Sequence, residues 1–341
     1  MAEESGLKTM LTGLALTAVT LLLCFGVMEA YLSYSYGVER DAMREKNKHR
    51  DLCSMRSPHP ELIYTRVPNK CGSNSQGYRD VEHALEKPPG AFRVVLIGDS
   101  VAQGQGVDLD EAFGRVLERL LDEAAAGRDA EVITLAQSGY STSQELFLLE
   151  HEALDYSPDI VVWSYVLNDP AHPVFHNANG EIGRYYYEPR FYTTHWLRSK
   201  LIEAMENTRH GDCGGEYHSF MHCVYADDVH RNILRIGEIA GSTGVPVLFA
   251  IHPVFERNDD YGQYTLTHVH ASLAASAKEA GLDVLDLLET YRPYPPRDLM
   301  QTKNKDFDPW HPNALGNRLV AEALFAKISA DSTFRDWLAA D

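Results

Sequence analysis

Short apolar runs alternate with helical stripes through most of the chain. Arg93–Ile97 (RVVLI) is a largely β-branched run closed by Gly98, as expected of a strand buried on both faces. A helix is predicted from about Glu111, with Phe113, Val116, Leu117, Leu120 and Leu121 on one stripe and Gly127 beyond its end. Glu131–Leu135 reads as a second strand. Thr142 and Glu145 have the spacing of a capping box, opening a helix that carries Leu146, Leu149, Ala153 and Tyr156. Ile160–Val166 (IVVWSYV) is a third strand.

The pattern is interrupted from Pro170 to Tyr225 and then resumes. A helix near Asp227–Gly241 leads to a strand at Pro246–Ile251, and a helix through Tyr264–Ala280 leads to a strand at Val284–Leu288. A final helix starts after Pro312. Five strands alternating with helices predict an open, mostly parallel, three-layer α/β sheet. In such sheets ligands bind at the carboxyl ends of the strands.

The N-terminus departs from this pattern. From Met10 to Met28 no residue is charged, and Tyr31, Tyr34 and Tyr36 follow. As a helix this run spans roughly 28 Å, close to the ~30 Å hydrocarbon core of a bilayer, with tyrosines at the interfacial edge. A cleaved signal peptide fits less well, because Met28-Glu29-Ala30 is a poor small-x-small site. Nor does Cys24 resemble a lipoprotein acceptor, since Leu23 precedes it. The expectation is an uncleaved single-pass anchor through residues 10–28. It divides the chain into an anchor (1–36), a charged juxtamembrane linker and turn-rich apron (37–90), the α/β domain (91–330, with an insertion at 170–225) and a C-terminal tail (331–341).

Composition narrows the function. The chain has 341 residues, 44% of them hydrophobic and 23% charged, so beyond the apolar run it is an ordinary globular sequence. Its net charge of -18 repels phosphate backbones and argues against nucleic-acid binding through a basic surface.

Charge and cysteine patterns disagree about orientation. Only Lys8 precedes the apolar run, whereas Arg40, Arg44, Lys46, Lys48 and Arg50 follow it, which by the positive-inside rule puts the main domain in the cytoplasm. Against this, four cysteines fall into two local pairs, Cys53 with Cys71 and Cys213 with Cys223, which suggests disulfides and an oxidising compartment. Zinc competes for the second pair, because His210, His218 and His222 crowd it, although the spacing matches no standard finger. Free buried thiols are the plain alternative for either pair. The cysteine reading is preferred, and the domain is expected in the periplasm or otherwise outside the cytoplasm.

Polar residues cluster at the predicted strand ends. Strand one ends in Gly98-Asp99-Ser100, strand two runs into Gly139, strand three ends in Asn168-Asp169, and Asp308-Pro309-Trp310-His311-Pro312-Asn313 precedes the last helix. A serine hydroxyl needs a base to take its proton, usually an imidazole oriented by a carboxylate. Asp308 and His311 are close enough in sequence for that pairing, with Ser100 as nucleophile. Pro312 at a first helical position would set His311 at a helix N-terminus, where the dipole disfavours imidazolium. The N–H groups of Ser100 and Gly139 and the Asn168 amide are the natural donors to a developing oxyanion. Each feature alone is ordinary turn chemistry; in this order, each at the end of its own element, they form a constellation.

These segments (IGDS, AQSGYSTSQEL, VLND and DPWHPN) resemble the SGNH/GDSL hydrolase family over about residues 91–330, and SNSQGYRD is similar to the lead-in of many envelope members. The resemblance implies a flavodoxin-like sheet, a Ser100–His311–Asp308 triad and ester hydrolysis without metal or cofactor. Val-Leu before Asn168 departs from the Gly of many members, and Asp99 is expected to fix its loop rather than transfer protons.

The favoured reading is a membrane-anchored serine esterase acting on short O-acyl groups of envelope glycans, with lipid esters open as substrates. An O-acyltransferase of a surface polysaccharide would use the same acyl-enzyme. A catalytically silent glycan-binding module is the third reading. Tyr185, Tyr186, Tyr187, Phe191, Tyr192 and Trp196 in the insertion suit sugar stacking or acyl contact, but packing of the insertion onto the sheet is the simpler role for most of them. His252, His268 and His270 are read as surface or packed histidines.

Overall fold

The computed structural model describes residues 2–47, 53–125, 127–170, 186–209, 213, 215–302 and 307–340. Its centre is a five-stranded, wholly parallel sheet of β3 (Phe92–Gly98), β4 (Ala130–Ala136), β5 (Ile160–Val166), β6 (Val247–His252) and β7 (Asp283–Asp286), in the spatial order β4-β3-β5-β6-β7. No position of β3, β5 or β6 is exposed. That is why their sequences run as continuous apolar stretches rather than alternating. The order reverses between β4 and β5, so the crossover helices fall on opposite faces. α2 (Phe113–Ala124) packs against α8 (Ala314–Ala330), while α3 (Thr142–His151), α6 (Ala226–Thr243) and α7 (Thr267–Glu279) pack together across the sheet. This is the three-layer arrangement expected from the alternation, and the flavodoxin-like sheet that the family resemblance implies.

Several boundaries differ from the expectation. α1 runs unbroken over Ala2–Asn47, so the charged stretch after Tyr36 extends the apolar helix through Asn47. Its composition explains this, since Glu, Arg, Ala and Met are good helix formers whatever their charge. α3 is capped by Ser141 with Gln144, one residue before the predicted box, and Glu145 turns inward instead. α8 starts at Ala314 behind Asn313, whose side chain accepts from the Gly316 N–H at 3.1 Å, so Pro312 is not its first residue. Residues 332–339 form a helix, α9, whose Phe334 and Trp337 pack on Phe92 at ring separations of 4.9 and 5.2 Å.

The apron contains the antiparallel strands β1 (Ser54–Arg56) and β2 (Tyr64–Arg66), and Cys53 is bonded to Cys71 beside them. Cys213 is bonded to Cys223. The insertion supplies α4 (Tyr192–Arg209) and α5 (Tyr217–Val224). α4 packs against α1, a contact the sequence did not reveal. Among the described residues one helix is long and apolar enough to cross a membrane. Along it Leu11, Leu14, Leu16, Val19, Leu21, Leu22, Leu23 and Val27 are all exposed.

Candidate active site

Gly98 ends β3 against β5, where a Cβ would come within 2.7 Å of the Ala102 Cβ and 3.0 Å of Ser164. Only glycine lets the chain turn this tightly into Asp99-Ser100. Asp99 is fully buried and organises that turn, accepting from the Val101 N–H at 2.8 Å and the Asn168 amide at 3.3 Å, with Ser100 Oγ 3.1 Å away. Burial pushes its carboxyl up, and these hydrogen bonds together with the nearby His311 offset only part of that.

The loop beyond Ser100 is pinned from the apron. The Arg79 guanidinium donates to the carbonyls of Gln103, Gly104 and Val107 at 2.9, 2.9 and 2.7 Å. Sequence reading missed this residue, and its only signal was an arginine closing the turn-rich lead-in. Gly104 has φ +71, and a Cβ there would meet the Ala112 Cβ at 2.5 Å. The apron also reaches the turn after β4, through Tyr64 OH to the Ser138 carbonyl at 2.9 Å and Gln144 Nε2 to the Leu62 carbonyl at 2.8 Å. Gly139 sits in that turn at φ +79. Ser138 donates to Gln105 at 2.8 Å, tying the turn to the loop that follows Ser100.

His311 arrives from the far end of the chain on a segment sewn to residues 299–301. Gln301 N–H donates to the His311 carbonyl at 2.8 Å, and Asn313 N–H to the Leu299 carbonyl at 2.7 Å. Nε2 of His311 lies 2.9 Å from Ser100 Oγ, and Nδ1 lies 3.0 and 2.9 Å from the two Asp308 oxygens. A carboxylate only accepts, so Nδ1 carries the hydrogen and Nε2 presents its lone pair to the serine hydroxyl. Asp308 also accepts from the backbone N–H groups of Trp310 and His311, at 3.1 and 3.2 Å. Burial raises the Asp308 carboxyl, but the His311 hydrogen bond and charge with these backbone donors outweigh it, and it lies below the usual carboxylate range. Such an array can accept the serine proton as the hydroxyl attacks a carbonyl carbon.

The structure thus brings Ser100, His311 and Asp308 into one chain of hydrogen bonds. Asn168 joins them through Asp99, and its buried Oδ1 has no hydrogen-bond partner among the described residues. Gly139 lies in the adjacent turn. Because the helix begins at Ala314, His311 lies two residues before the cap, and a strong dipole effect on its ring is not expected.

The zinc alternative for Cys213 and Cys223 is overturned, because a disulfide leaves no thiolates to bind metal. His218 accepts from the Trp310 indole at 3.2 Å while its Nδ1 meets Glu216 at 2.9 Å, and His222 meets Tyr165 OH at 3.0 Å. His210 and Tyr185 lie outside the described residues. His252 is buried against Ser164 Oγ at 2.9 Å, and burial pushes it down to about 3. His270 is buried between Asp286 and Tyr264, and His268 is exposed beside Ser219. Tyr186 donates to the Ser54 carbonyl at 2.6 Å, the packing role expected for most insertion rings.

Behind the site lie two further buried carboxyls. Neither oxygen of Glu145 has a hydrogen-bond partner; the Trp163 indole acts on it but falls short of hydrogen-bond geometry. Burial raises Glu145 well above its usual value, reinforced by Asp99, and Asp169 is raised by burial and by Glu145. The unfolded chain therefore loses the Glu145 proton first as pH rises. Stability from the neutral carboxyl is complete below the unfolded value of 4.5 and is lost as pH climbs through the folded pKa, at about 1.4 kcal/mol per pH unit. Glu145→Gln removes this titration. Its urea midpoint is expected to gain progressively on that of the wild type as pH rises above the unfolded value of 4.5. A constant gap above that value would place the titration elsewhere.

A doubly wound parallel sheet with Ser100, His311 and Asp308 hydrogen-bonded in series at its strand-end face is an α/β protein with a candidate hydrolytic site. The chain belongs to the GDSL-like lipase/acylhydrolase family, whose model matches residues 96–319, and it is an SGNH-type ester hydrolase. Similar solved structures include the acetyl xylan esterase AlAXEase (16% identity, TM-score 0.44, covering 69% of this chain and 99% of that one). The acetylxylan esterase Axe2 from Geobacillus stearothermophilus is another (15%, 0.47, 70% and 95%), as is TesA (15%, 0.43, 69% and 97%). No curated protein sequence matches the chain.

Proposed function

We propose that the protein is a membrane-anchored serine esterase whose catalytic domain lies outside the cytoplasm. The observation that carries the catalytic part is the 2.9 Å approach of His311 Nε2 to Ser100 Oγ, with Nδ1 held by Asp308. Ser100 Oγ attacks the ester carbonyl carbon as its proton passes to His311, and Asp308 stabilises the imidazolium. The tetrahedral oxyanion is held by the N–H groups of Ser100 and Gly139 and by the Asn168 amide. Collapse returns the proton to the departing alcohol and leaves Ser100 acylated. Water, deprotonated by His311, then releases the acid and restores the serine.

The apolar surface of residues 11–27 supports the anchor, since Leu11, Leu14, Leu16, Val19, Leu21, Leu22, Leu23 and Val27 all stay exposed. Two disulfides favour the extracytoplasmic side over the charge count. Short O-acyl groups on envelope glycans are the proposed substrates. Ser100 is only 6% exposed, which suits a small acyl group, and the partly exposed Trp310 ring beside His311 offers a face for a sugar.

Full-length protein in detergent should be acetylated on Ser100 by p-nitrophenyl acetate, seen as a mass increase on the peptide containing it. Free acetate is the expected main product when an oligosaccharide acceptor is added. Acetylated sugar in excess of acetate would replace hydrolysis by O-acyl transfer, and absence of any Ser100 adduct would remove the acyl-enzyme.

A further inference from the structure

α4 is joined to α1 at the end of the apolar run. Glu29, the first charged residue after that run, accepts from the backbone N–H groups of Tyr192 and Thr193, both at 2.8 Å. The carboxylate thus satisfies orphan donors of the α4 N-terminus. Phe191, just before the helix, contacts Phe25 at a ring separation of 5.8 Å. Phe25 lies four residues before Glu29, about 6 Å further into the apolar stretch. The start of α4 therefore sits level with the end of the span, and Phe191 reaches below it.

The orientation of α4 follows from His195. Its ring packs on Tyr36 at 5.7 Å, and Tyr36 lies about 10 Å beyond Glu29 on the domain side. Leu197 and Leu201 come two and six residues after His195, at about 200° and 240° round the helix, and so point the other way, toward the apolar part of α1. They are 52% and 62% exposed, and Phe191 is 42% exposed. Ala204 extends the stripe, with exposed Arg198 on one side of it and exposed Lys200 on the other.

We propose that α4 is an interfacial helix lying in the headgroup plane of an anionic bilayer, with Phe191, Leu197 and Leu201 among the acyl chains. The inference rests on the reading of α1 as a membrane span and adds a second contact to it. Lipid is the occupant because the stripe is continuous with α1 through the Phe25–Phe191 contact and is flanked by exposed Arg198 and by exposed Lys200, which pairs with Glu203 at 2.6 Å on the helix surface. Two attachments would hold the domain at one height and tilt, so that the strand ends face a fixed distance from the surface.

The test uses the full chain in vesicles of phosphatidylethanolamine and phosphatidylglycerol carrying brominated acyl chains. An environment-sensitive fluorophore is placed on the native Cys24 or, with Cys24→Ser, on Leu201→Cys. Cys24 is the free exposed thiol within the apolar run, so it reports on the span independently. Blue-shifted emission quenched by bromine at both positions is the expected result. Quenching at Cys24 with water-like emission at Leu201→Cys overturns the interfacial helix and leaves the span intact. A Leu201→Cys label shielded from water but indifferent to bromine also overturns it, in favour of a protein partner. Quenching at neither position removes the span and the proposal with it.

Discussion

Ser100→Ala is expected to lower p-nitrophenyl acetate turnover on the order of 10⁴- to 10⁶-fold in kcat. The hydroxyl lies 2.9 Å from the His311 lone pair and is the oxygen that would carry the acyl group, so without it that acyl-enzyme cannot form. The change is small structurally. It removes one hydroxyl oxygen, and Asp99 keeps the Val101 N–H and the Asn168 amide as donors. The fold should therefore survive, and thermal unfolding should show a similar transition. Residual turnover would report oxyanion stabilisation and binding alone. Steady-state rates of the purified full-length variant, on acetyl and longer aryl esters, decide the matter. A loss of less than about tenfold would mean that Ser100 is not the nucleophile, however well it is placed.

Much of the sheet was readable because its strands are buried on both faces, which forces continuous apolar runs that no surface helix would carry. Ser100, Gly139 and Asn168 were readable because each follows one such run, where polar groups stand out, and Asp308 and His311 because they sit three apart just before the last helix. What was not readable depends on contacts distant in sequence. Arg79 holds three carbonyls of the loop after Ser100, but nothing in its neighbours says that those carbonyls exist. Glu29 reads as the polar end of an apolar run, and its role in capping α4 needs a partner 163 residues away. Local ambiguity accounts for the cap of α3. Ser141 with Gln144 and Thr142 with Glu145 satisfy the same spacing rule, and only the core decides which carboxyl or amide turns inward.

The local misreading at Pro312 sharpens the question of what prepares His311 as a base. With the helix starting two residues later than expected, orientation of the ring falls to Asp308. A plain structural role is open to that residue, because it also accepts from the backbone N–H groups of Trp310 and His311 and so shapes the loop. Asp308→Asn separates the two roles. An amide oxygen can still accept from the backbone, but the amide nitrogen then faces His311 Nδ1 as a donor. The imidazole is driven to carry its hydrogen on Nε2, where it cannot take the serine proton. Expected is a fall in kcat of about 10⁴-fold at neutral pH, with substrate binding little changed. Stability should respond separately. The wild-type carboxyl titrates below its usual range, so its contribution is present above the unfolded pKa and is lost as pH falls through the folded value. The Asn variant should lack that acid limb. If kcat stays within about tenfold of the wild type while the acid limb disappears, Asp308 is a loop cap and the base at Ser100 acts as an unassisted histidine.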